Sequence, residues 1–204
     1  MHNFKQGFTL IELLIVIAIL GILAAAVTIV LNPAELLAQA RDGQRVSDMD
    51  TIKTAVNHYL SQATSTPVLD KANYGVFGGC SFSNGTSTAP FATSSVTCSA
   101  ASATIRAVDG TGWVDVPFST LPGGSPLATL PNDPVNSTYY TYAYVGNTTA
   151  TSPNYTFKLA TRLESVKFVG KMTLGKASAT TTSCTTNNDT AVTCWYQVGT
   201  NLAL

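Results

Sequence analysis

The feature that most constrains this chain is an apolar block near its N-terminus, from Phe8 to Leu31, in which Glu12 is the only charged residue. At a helical rise of about 1.5 Å per residue, the block is long enough to cross the roughly 30 Å hydrocarbon core of a bilayer. A secretory signal peptide is the main competing interpretation, but its apolar region usually spans only about 7–15 residues. We therefore expect a helix that stays in the chain and spans a membrane.

The carboxylate of Glu12 carries a cost in this position. An acidic side chain at the bilayer centre costs on the order of 2.5–3.5 kcal/mol on insertion scales, and a position nearer one end still carries part of that penalty. Burial physics leaves two interpretations open: the side chain reaches the headgroup region, or it has a functional partner. A buried ammonium would be such a partner, because pairing offsets part of both desolvation costs and fixes the register of two helices.

The first residues, MHNFKQG followed by FTLIELLIVIAILGILAAA, resemble the class III signal of type IV pilins and pseudopilins. The resemblance implies that residues 1–7 are a leader, and that a dedicated peptidase cuts between Gly7 and Phe8 and methylates the new N-terminus at Phe8. It also implies that Glu12 neutralises the terminal amine of a neighbouring subunit during filament assembly. Residues 8–31 would then form the membrane-spanning helix of the precursor and the core helix of the filament.

The next segment, 32–62, has the pattern of an amphipathic helix. Pro33 cannot donate a backbone hydrogen bond, so it predicts a kink or a short break at the end of the apolar half. Beyond it, apolar residues spaced by three and four share one face: Val46, Met49, Ile52, Val56 and Tyr59. Mixed charges are expected elsewhere around the helix, outside the membrane: Arg41, Asp42, Arg45, Asp48, Asp50 and Lys53.

From residue 63 to 204 the chain is rich in Ser, Thr, Gly and Asn, and short β-branched and aromatic runs alternate with turn residues. The candidate strands are Ser95–Ala107, Gly112–Val116, Tyr139–Val145, Asn154–Ala160 and Ala191–Val198. The run LPGGSPLATLPNDPVN predicts an ordered loop. The fold class expected is α+β, with a long N-terminal helix packed on a C-terminal antiparallel sheet in a globular head, as in type IV pilins. LPNDPVN, YYTYAY and YTFKLATRLES also resemble the body of bacterial pilins and of the major type II secretion pseudopilin.

The four cysteines are Cys80, Cys98, Cys184 and Cys194. They form no C-x-x-C motif, and no histidine lies near them, so disulfides are favoured over a zinc site. Three connectivities are possible, and we prefer 80–98 with 184–194 because each closes a local loop. Disulfides imply an oxidising compartment outside the cytoplasm.

Other reactive side chains give little support for a metal, a cofactor or catalysis. Pseudopilins that this chain resembles bind calcium, but the acidic, Gly-rich ligand loop is missing, so we expect turn-forming or solvated aspartates and no metal or cofactor at Asp109, Asp115, Asp133 and Asp189. His58 is expected on the helix surface, with no catalytic Ser/His/Asp or Cys/His arrangement around it. Trp113 and Trp195 are expected to pack in strands.

The sequence thus predicts a non-enzymatic type IV pilin: a single-pass precursor in the bacterial membrane that becomes a subunit of an extracellular filament. The expected partners are other copies of the chain, the prepilin peptidase and methyltransferase, an inner-membrane assembly platform with its ATPase, and minor pilins. Net charge is zero and 11% of residues are charged, so no direct binding of nucleic acid is predicted. The first alternative is a pseudopilin of a type II secretion system. The second is a single-pass anchored binding domain that never polymerises.

Overall fold

The computed structural model describes residues 7–63, 67–69, 80–82, 106–137, 139–147, 155–174 and 194–200. Two long helices, α1 (Leu10–Leu31) and α2 (Pro33–Gln62), precede a small antiparallel sheet. The α+β class predicted from the sequence is therefore confirmed. The chain divides into two compact units, Met1–Ala38 and Gln39–Leu204.

In the first unit, α1 exposes its apolar side chains from Leu10 to Thr28 and again at Leu31. Leu10 is 84% exposed, Ile22 is 72% exposed and Leu31 is 56% exposed. The window Leu10–Thr28 is long and apolar enough to cross a membrane, and none of it is buried inside the protein. A core helix of a water-soluble domain would bury such a surface, so this helix has the character of a membrane span.

The two helices are separated at Asn32, which adopts the left-handed conformation with φ 39°. Pro33, which has no N–H to donate, begins α2. The carbonyl of Asn32 accepts hydrogen bonds from the N–H groups of Glu35 at 3.0 Å and Leu36 at 3.3 Å, which start the new helix. The break predicted from Pro33 is confirmed, and Asn tolerates the positive φ that it requires.

In the second unit, α2 contributes one face to the main hydrophobic core. Met49, Ile52 and Val56 are fully buried and Tyr59 is 3% exposed, as the spacing of these residues predicts. The same core contains residues from loops and strands: Leu69, Trp113, Val114, Val116, Phe118, Leu121, Leu130, Tyr142, Tyr144, Phe157 and Leu159. The helix face and one side of the sheet therefore share a single core.

The sheet has five strands: β1 (Cys80–Phe82), β2 (Ala143–Asn147), β3 (Thr156–Thr161), β4 (Thr173–Leu174) and β5 (Cys194–Gly199). Their order is β1-β2-β3-β5-β4, and each neighbouring pair is antiparallel. A short helix, α3 (Val166–Val169), connects β3 to β4, and a 3₁₀ turn covers Phe118–Thr120. A smaller core under α3 contains Leu163, Val169, Met172 and Cys194, and half-buried Val46 of α2 packs against it.

Three predicted strands are confirmed with shifted ends, since β2, β3 and β5 overlap Tyr139–Val145, Asn154–Ala160 and Ala191–Val198. Most of Ser95–Ala107 lies outside the described residues, and the predicted loop over residues 121–136 contains no helix or strand. The prediction of a strand over Gly112–Val116 is wrong. This segment consists of bends and of residues without regular secondary structure, and its consecutive residues 113–116 are all buried, so it lacks the two unlike faces of an edge strand.

Candidate functional site

The predicted cleavage bond, between Gly7 and Phe8, precedes the first turn of α1 and is open to solvent. Phe8 is 93% exposed, and no heavy atom lies within 4 Å of the position that a Cβ at Gly7 would occupy. Both residues lie outside regular secondary structure. Nothing in the described part of the chain therefore obstructs a peptidase at this bond, and the cleavage stays a prediction.

Glu12 and Thr9 form a capping box at the start of α1. The backbone N–H and the hydroxyl of Thr9 both donate to Oε2 of Glu12 at 2.8 Å, and the N–H of Glu12 donates to Oγ1 of Thr9 at 3.4 Å. The pair satisfies donors that the first helical turn leaves without intrahelical partners. Oε1 of Glu12 has no hydrogen-bond partner among the described residues, so half of this carboxylate is open to an external donor.

The role of Thr9 was missed in the interpretation of the sequence, although the signal is present. The run TLIE matches the S/T-x-x-E/Q pattern that marks a capping box directly before an apolar run. The sequence left open whether this carboxylate reaches the headgroup region or has a partner, and in the structure it is held in place by its own chain. Its open oxygen therefore has a defined position relative to the helix.

Residues 2–28 match the family model described as the prokaryotic N-terminal methylation motif. This is the class III signal peptide of type IV pilins and pseudopilins. The chain carries a prepilin-type methylation motif. No solved structure matches the chain.

The methylation motif and α1 overlap from Leu10 to Thr28, so the segment that carries the processing signal is also the candidate membrane span. This overlap supports a precursor of the pilin or pseudopilin type that is anchored in a membrane. Proteins with this motif serve as structural subunits rather than enzymes.

The second unit contains a buried ionic cluster that the sequence did not predict. Arg45 and Asp42 were expected away from the buried face of α2, yet both are fully buried. Arg45 donates from Nε and Nη2 to the two carboxylate oxygens of Asp133 at 2.6 and 3.0 Å, and from Nη1 to Asp42 at 2.9 Å. Glu164 completes the cluster through salt bridges to Arg45 and Arg41.

Asp42 also holds the segment that leads into α3. Its carboxylate accepts the N–H of Glu164 at 2.9 Å, and the N–H and hydroxyl of Ser165 at 2.7 and 2.6 Å. Asp133 in turn accepts the N–H groups of Val135 at 2.8 Å and Asn136 at 3.0 Å. The cluster therefore joins α2 to two loops through fully satisfied carboxylates, which is the condition for a buried charge to be tolerated.

The electrostatics of the cluster keep Arg45 charged. Burial alone would lower the pKa of Arg45, but the hydrogen bonds and charges of Asp133 and Glu164 outweigh burial and raise it above its ordinary value. The guanidinium also lies over the ring of Tyr140, 4.9 Å from its centroid.

Asp48, on the same helix, accepts a 2.7 Å hydrogen bond from the hydroxyl of Tyr142. Burial raises the pKa of Asp48 above its usual value, and the hydrogen bond from Tyr142 offsets part of that rise. The pKa of Tyr142 is also raised, first by burial and then by the neighbouring carboxylate. This polar pair attaches the middle of α2 to the residue before β2.

The four cysteines are only partly covered by the described residues. Cys80 lies in β1 opposite Val145, and Cys98 and Cys184 lie outside the described residues. Cys194 in β5 is buried and disulfide-bonded. The pairing 80–98 with 184–194 remains a prediction.

The aspartates weighed as calcium ligands have other roles where they are described. Asp109 is exposed and accepts the N–H of Thr111 at 2.9 Å, which is a turn. Asp115 is buried, and Asp133 is occupied by Arg45 and backbone N–H groups, so the expectation that such aspartates are either turn-forming or solvated is incomplete. Asp189 lies outside the described residues. Within the described ranges, no group of three or more His, Cys, Asp or Glu is placed to hold a metal ion.

The aromatic residues singled out in the sequence are packing residues. Trp113 and Trp195 are buried, and Nε1 of Trp113 donates to the carbonyl of Pro131 at 2.9 Å. Trp195 lies in β5 as predicted, whereas Trp113 lies outside any strand. His58 is half-buried on α2 rather than a plain surface residue.

Proposed function

We propose that this chain is the structural subunit of a type IV pilus. The precursor is held in the membrane by residues 8–31, loses the leader 1–7 after Gly7, is methylated at Phe8 and polymerises into a surface filament. Residues 32–62 and 63–204 supply the amphipathic helix half and the globular head. The filament serves adhesion, motility or DNA uptake.

The observation that carries the proposal is the coincidence of three features in one segment. The methylation motif covers residues 2–28, and both the unburied apolar window Leu10–Thr28 and the half-open carboxylate of Glu12 lie within it. A helix that exposes this much apolar surface requires lipid before assembly and other helices afterwards.

In the assembly step, Glu12 keeps Oε2 on its own Thr9 and presents Oε1 to the methylated amine of Phe8 in a neighbouring copy. Pairing the two charges offsets their desolvation in an apolar bundle and sets the stagger of the helices. Because the donor and the acceptor are different parts of the chain, the contact is heterologous and extends into a helical filament.

The partners that follow are other copies of this chain, the peptidase and methyltransferase that process it, and the inner-membrane platform whose ATPase supplies the energy. Minor pilins join the same assembly. No enzymatic activity, cofactor or direct nucleic-acid contact is assigned to the chain itself.

The test is intact mass and N-terminal sequencing of the chain from sheared surface filaments and, separately, from membranes. A chain that begins at methylated Phe8 in the filament fraction would support the proposal. A chain that is found only in membranes and still carries Gly7 would overturn it and favour the anchored binding domain that never polymerises.

Pilins and pseudopilins both carry the methylation motif, so processing alone does not distinguish them. The same preparation distinguishes them by the fraction in which the processed chain is found. A processed chain that is absent from surface filaments and recovered only from the cell envelope would favour the type II secretion pseudopilin. Electron microscopy of the sheared fraction, with antibody against the chain, shows directly whether the filaments contain it.

A further inference from the structure

One surface of the second unit combines an exposed apolar side chain with two exposed cations. We call it the α3 patch, and it consists of Val166, Lys167, Phe168 and Lys171. Val166 is 74% exposed, more than any other large apolar residue described in the second unit. The Nζ atoms of Lys167 and Lys171 lie 5.8 and 4.8 Å from the centroid of the Phe168 ring.

The α3 patch is held in place by packing and by hydrogen bonds. Phe168 and Val46 pack against the small core under α3, and Ser165, which precedes the helix, is held by Asp42. The N–H groups of Phe168 and Val169 donate to the carbonyl of Ser165 at 3.1 and 3.0 Å. The lysines are therefore presented from an anchored turn rather than from a free loop.

The carboxylates that hold the base of the α3 patch are already paired. Asp42 and Asp133 are buried and are occupied by Arg45 and backbone donors. Glu164, whose side chain is 10% exposed, is paired with Arg41 and Arg45. The charged residues of the α3 patch itself are Lys167 and Lys171, both exposed, so the patch carries positive charge.

The patch is also attached to the part of the second unit that comes first after the membrane span. Arg41 and Asp42 hold the residues leading into α3, and Arg41 follows Thr28 by only 13 residues. Even a fully extended chain of that length reaches no farther than about 45 Å. Once α1 is in a bilayer, the α3 patch therefore stays at a high effective concentration relative to the same bilayer.

We propose that the α3 patch binds anionic lipid headgroups of the membrane that holds the precursor. Lys167 and Lys171 pair with headgroup phosphates, and Val166 enters the boundary between headgroups and acyl chains. Each lysine near an anionic surface strengthens binding roughly five-fold, which is weak for a free protein but sufficient for a tethered one. The proposal rests on the membrane-held precursor of the proposed function, and the contact is given up when the subunit leaves the bilayer.

The test uses the full-length precursor in nanodiscs of phosphatidylcholine, with or without phosphatidylglycerol. A photo-reactive benzoylphenylalanine is placed at Val166, and adducts are identified by mass spectrometry after illumination. The matched control places the same residue at Val68, which is 46% exposed and contacts Tyr59 near the far end of α2. Co-purification with the nanodisc reports membrane anchoring separately.

We expect phosphatidylglycerol adducts at position 166 to exceed those at position 68 several-fold. The double variant Lys167→Gln/Lys171→Gln should reduce them several-fold, as should high salt, whereas Lys53→Gln on α2 should leave them unchanged.

Equal lipid adducts at the two positions, in a chain that co-purifies with the nanodisc, would overturn the proposal that the α3 patch binds lipid. They would leave the proposal that α1 anchors the precursor in the membrane intact. Adducts to a second copy of the chain, or adducts lost on adding an oligonucleotide, would also overturn the proposal for the α3 patch in favour of a protein or a nucleic-acid partner. A chain that fails to enter the nanodisc would overturn both proposals.

Discussion

Arg45 and Asp133 face each other in a two-point ion pair, in which Nε and Nη2 donate to the two carboxylate oxygens at 2.6 and 3.0 Å and both side chains are closed to solvent. The two residues are 88 positions apart in the chain. The pair fixes α2 to the loop that precedes β2, next to rather than within the hydrophobic core.

Removing one member of this pair should destabilise the second unit strongly. Arg45→Met leaves buried carboxylates without their cation and should lower the free energy of unfolding by about 3–5 kcal/mol. Urea unfolding of the full chain in detergent, followed by the fluorescence of buried Trp113 and Trp195, measures the change. The control is Arg41→Met. The side chain of Arg41 is 36% exposed, so the loss of its salt bridge to Glu164 should lower the free energy of unfolding by about 1 kcal/mol or less. Similar losses in the two variants would contradict the assignment of the buried pair.

The capping box allows the charge of Glu12 to be tested apart from the helix start. Glu12→Gln keeps a capping side chain and removes the charge, so filament yield should fall at least ten-fold while membrane insertion is retained. Thr9→Ser keeps the cap and should assemble normally, whereas Thr9→Val loses it and should assemble to an intermediate level. Filament yield per membrane-bound subunit is the measurement. Normal assembly of Glu12→Gln would remove the proposed role of the carboxylate.

The raised pKa of Asp48 predicts how stability depends on pH. Because burial raises the pKa in the folded state, the folded protein binds this proton more tightly than the unfolded chain does. Ionised Asp48 therefore costs stability above its folded pKa, and the cost disappears as the pH falls through that value and below the unfolded value of about 3.9.

Asp48→Asn should consequently be more stable than the parent at pH 7, since Asn can still accept the hydrogen bond from Tyr142. The advantage should shrink as the pH is lowered towards 4, and urea midpoints of both proteins across this range check it. An advantage that grows on acidification would show that the sign of the shift is wrong.

Gly146 lies where a side chain has no room. A Cβ at this position would overlap the carbonyl oxygen of Leu69 and the hydroxyl of Tyr144, which form a 2.8 Å hydrogen bond with each other. Gly146→Ala should cost at least about 2 kcal/mol of unfolding free energy, because it strains the strand and breaks a buried hydrogen bond. Gly170→Ala is the control, since no heavy atom lies near its Cβ position and its φ of −63° suits alanine. The control should be neutral or slightly stabilising.

The disulfide pairing is tested by digestion of the protein without reduction. We expect two linked peptides, one joining Cys80 to Cys98 and one joining Cys184 to Cys194. Free thiols are trapped with an alkylating reagent before digestion to prevent exchange. A peptide joining Cys80 or Cys98 to Cys194 would replace the preferred connectivity with one of the other two.

The features that were predictable from the sequence are those with local causes. The apolar block, the break at Pro33 and the buried face containing Ile52 follow from composition, proline chemistry and helical spacing. The Thr9–Glu12 cap is equally local and could have been found from its four-residue pattern.

The features that were missed depend on distant partners. Arg45 looks like an ordinary helix-surface charge until Asp133 and Glu164 are brought to it by the fold. The run Gly112–Val116 has the composition of a strand, but whether a run pairs in a sheet depends on neighbours that local propensity does not specify.

The open oxygen of Glu12 has a consequence for the ends of a filament. If that oxygen receives the freed amine of a neighbour, a subunit that has kept its leader offers the acceptor but has no donor at Phe8. Such a subunit can join a growing polymer through one side only, as a chain terminator does in nucleic-acid synthesis. The ratio of cut to uncut subunits would then limit filament length without any separate capping protein.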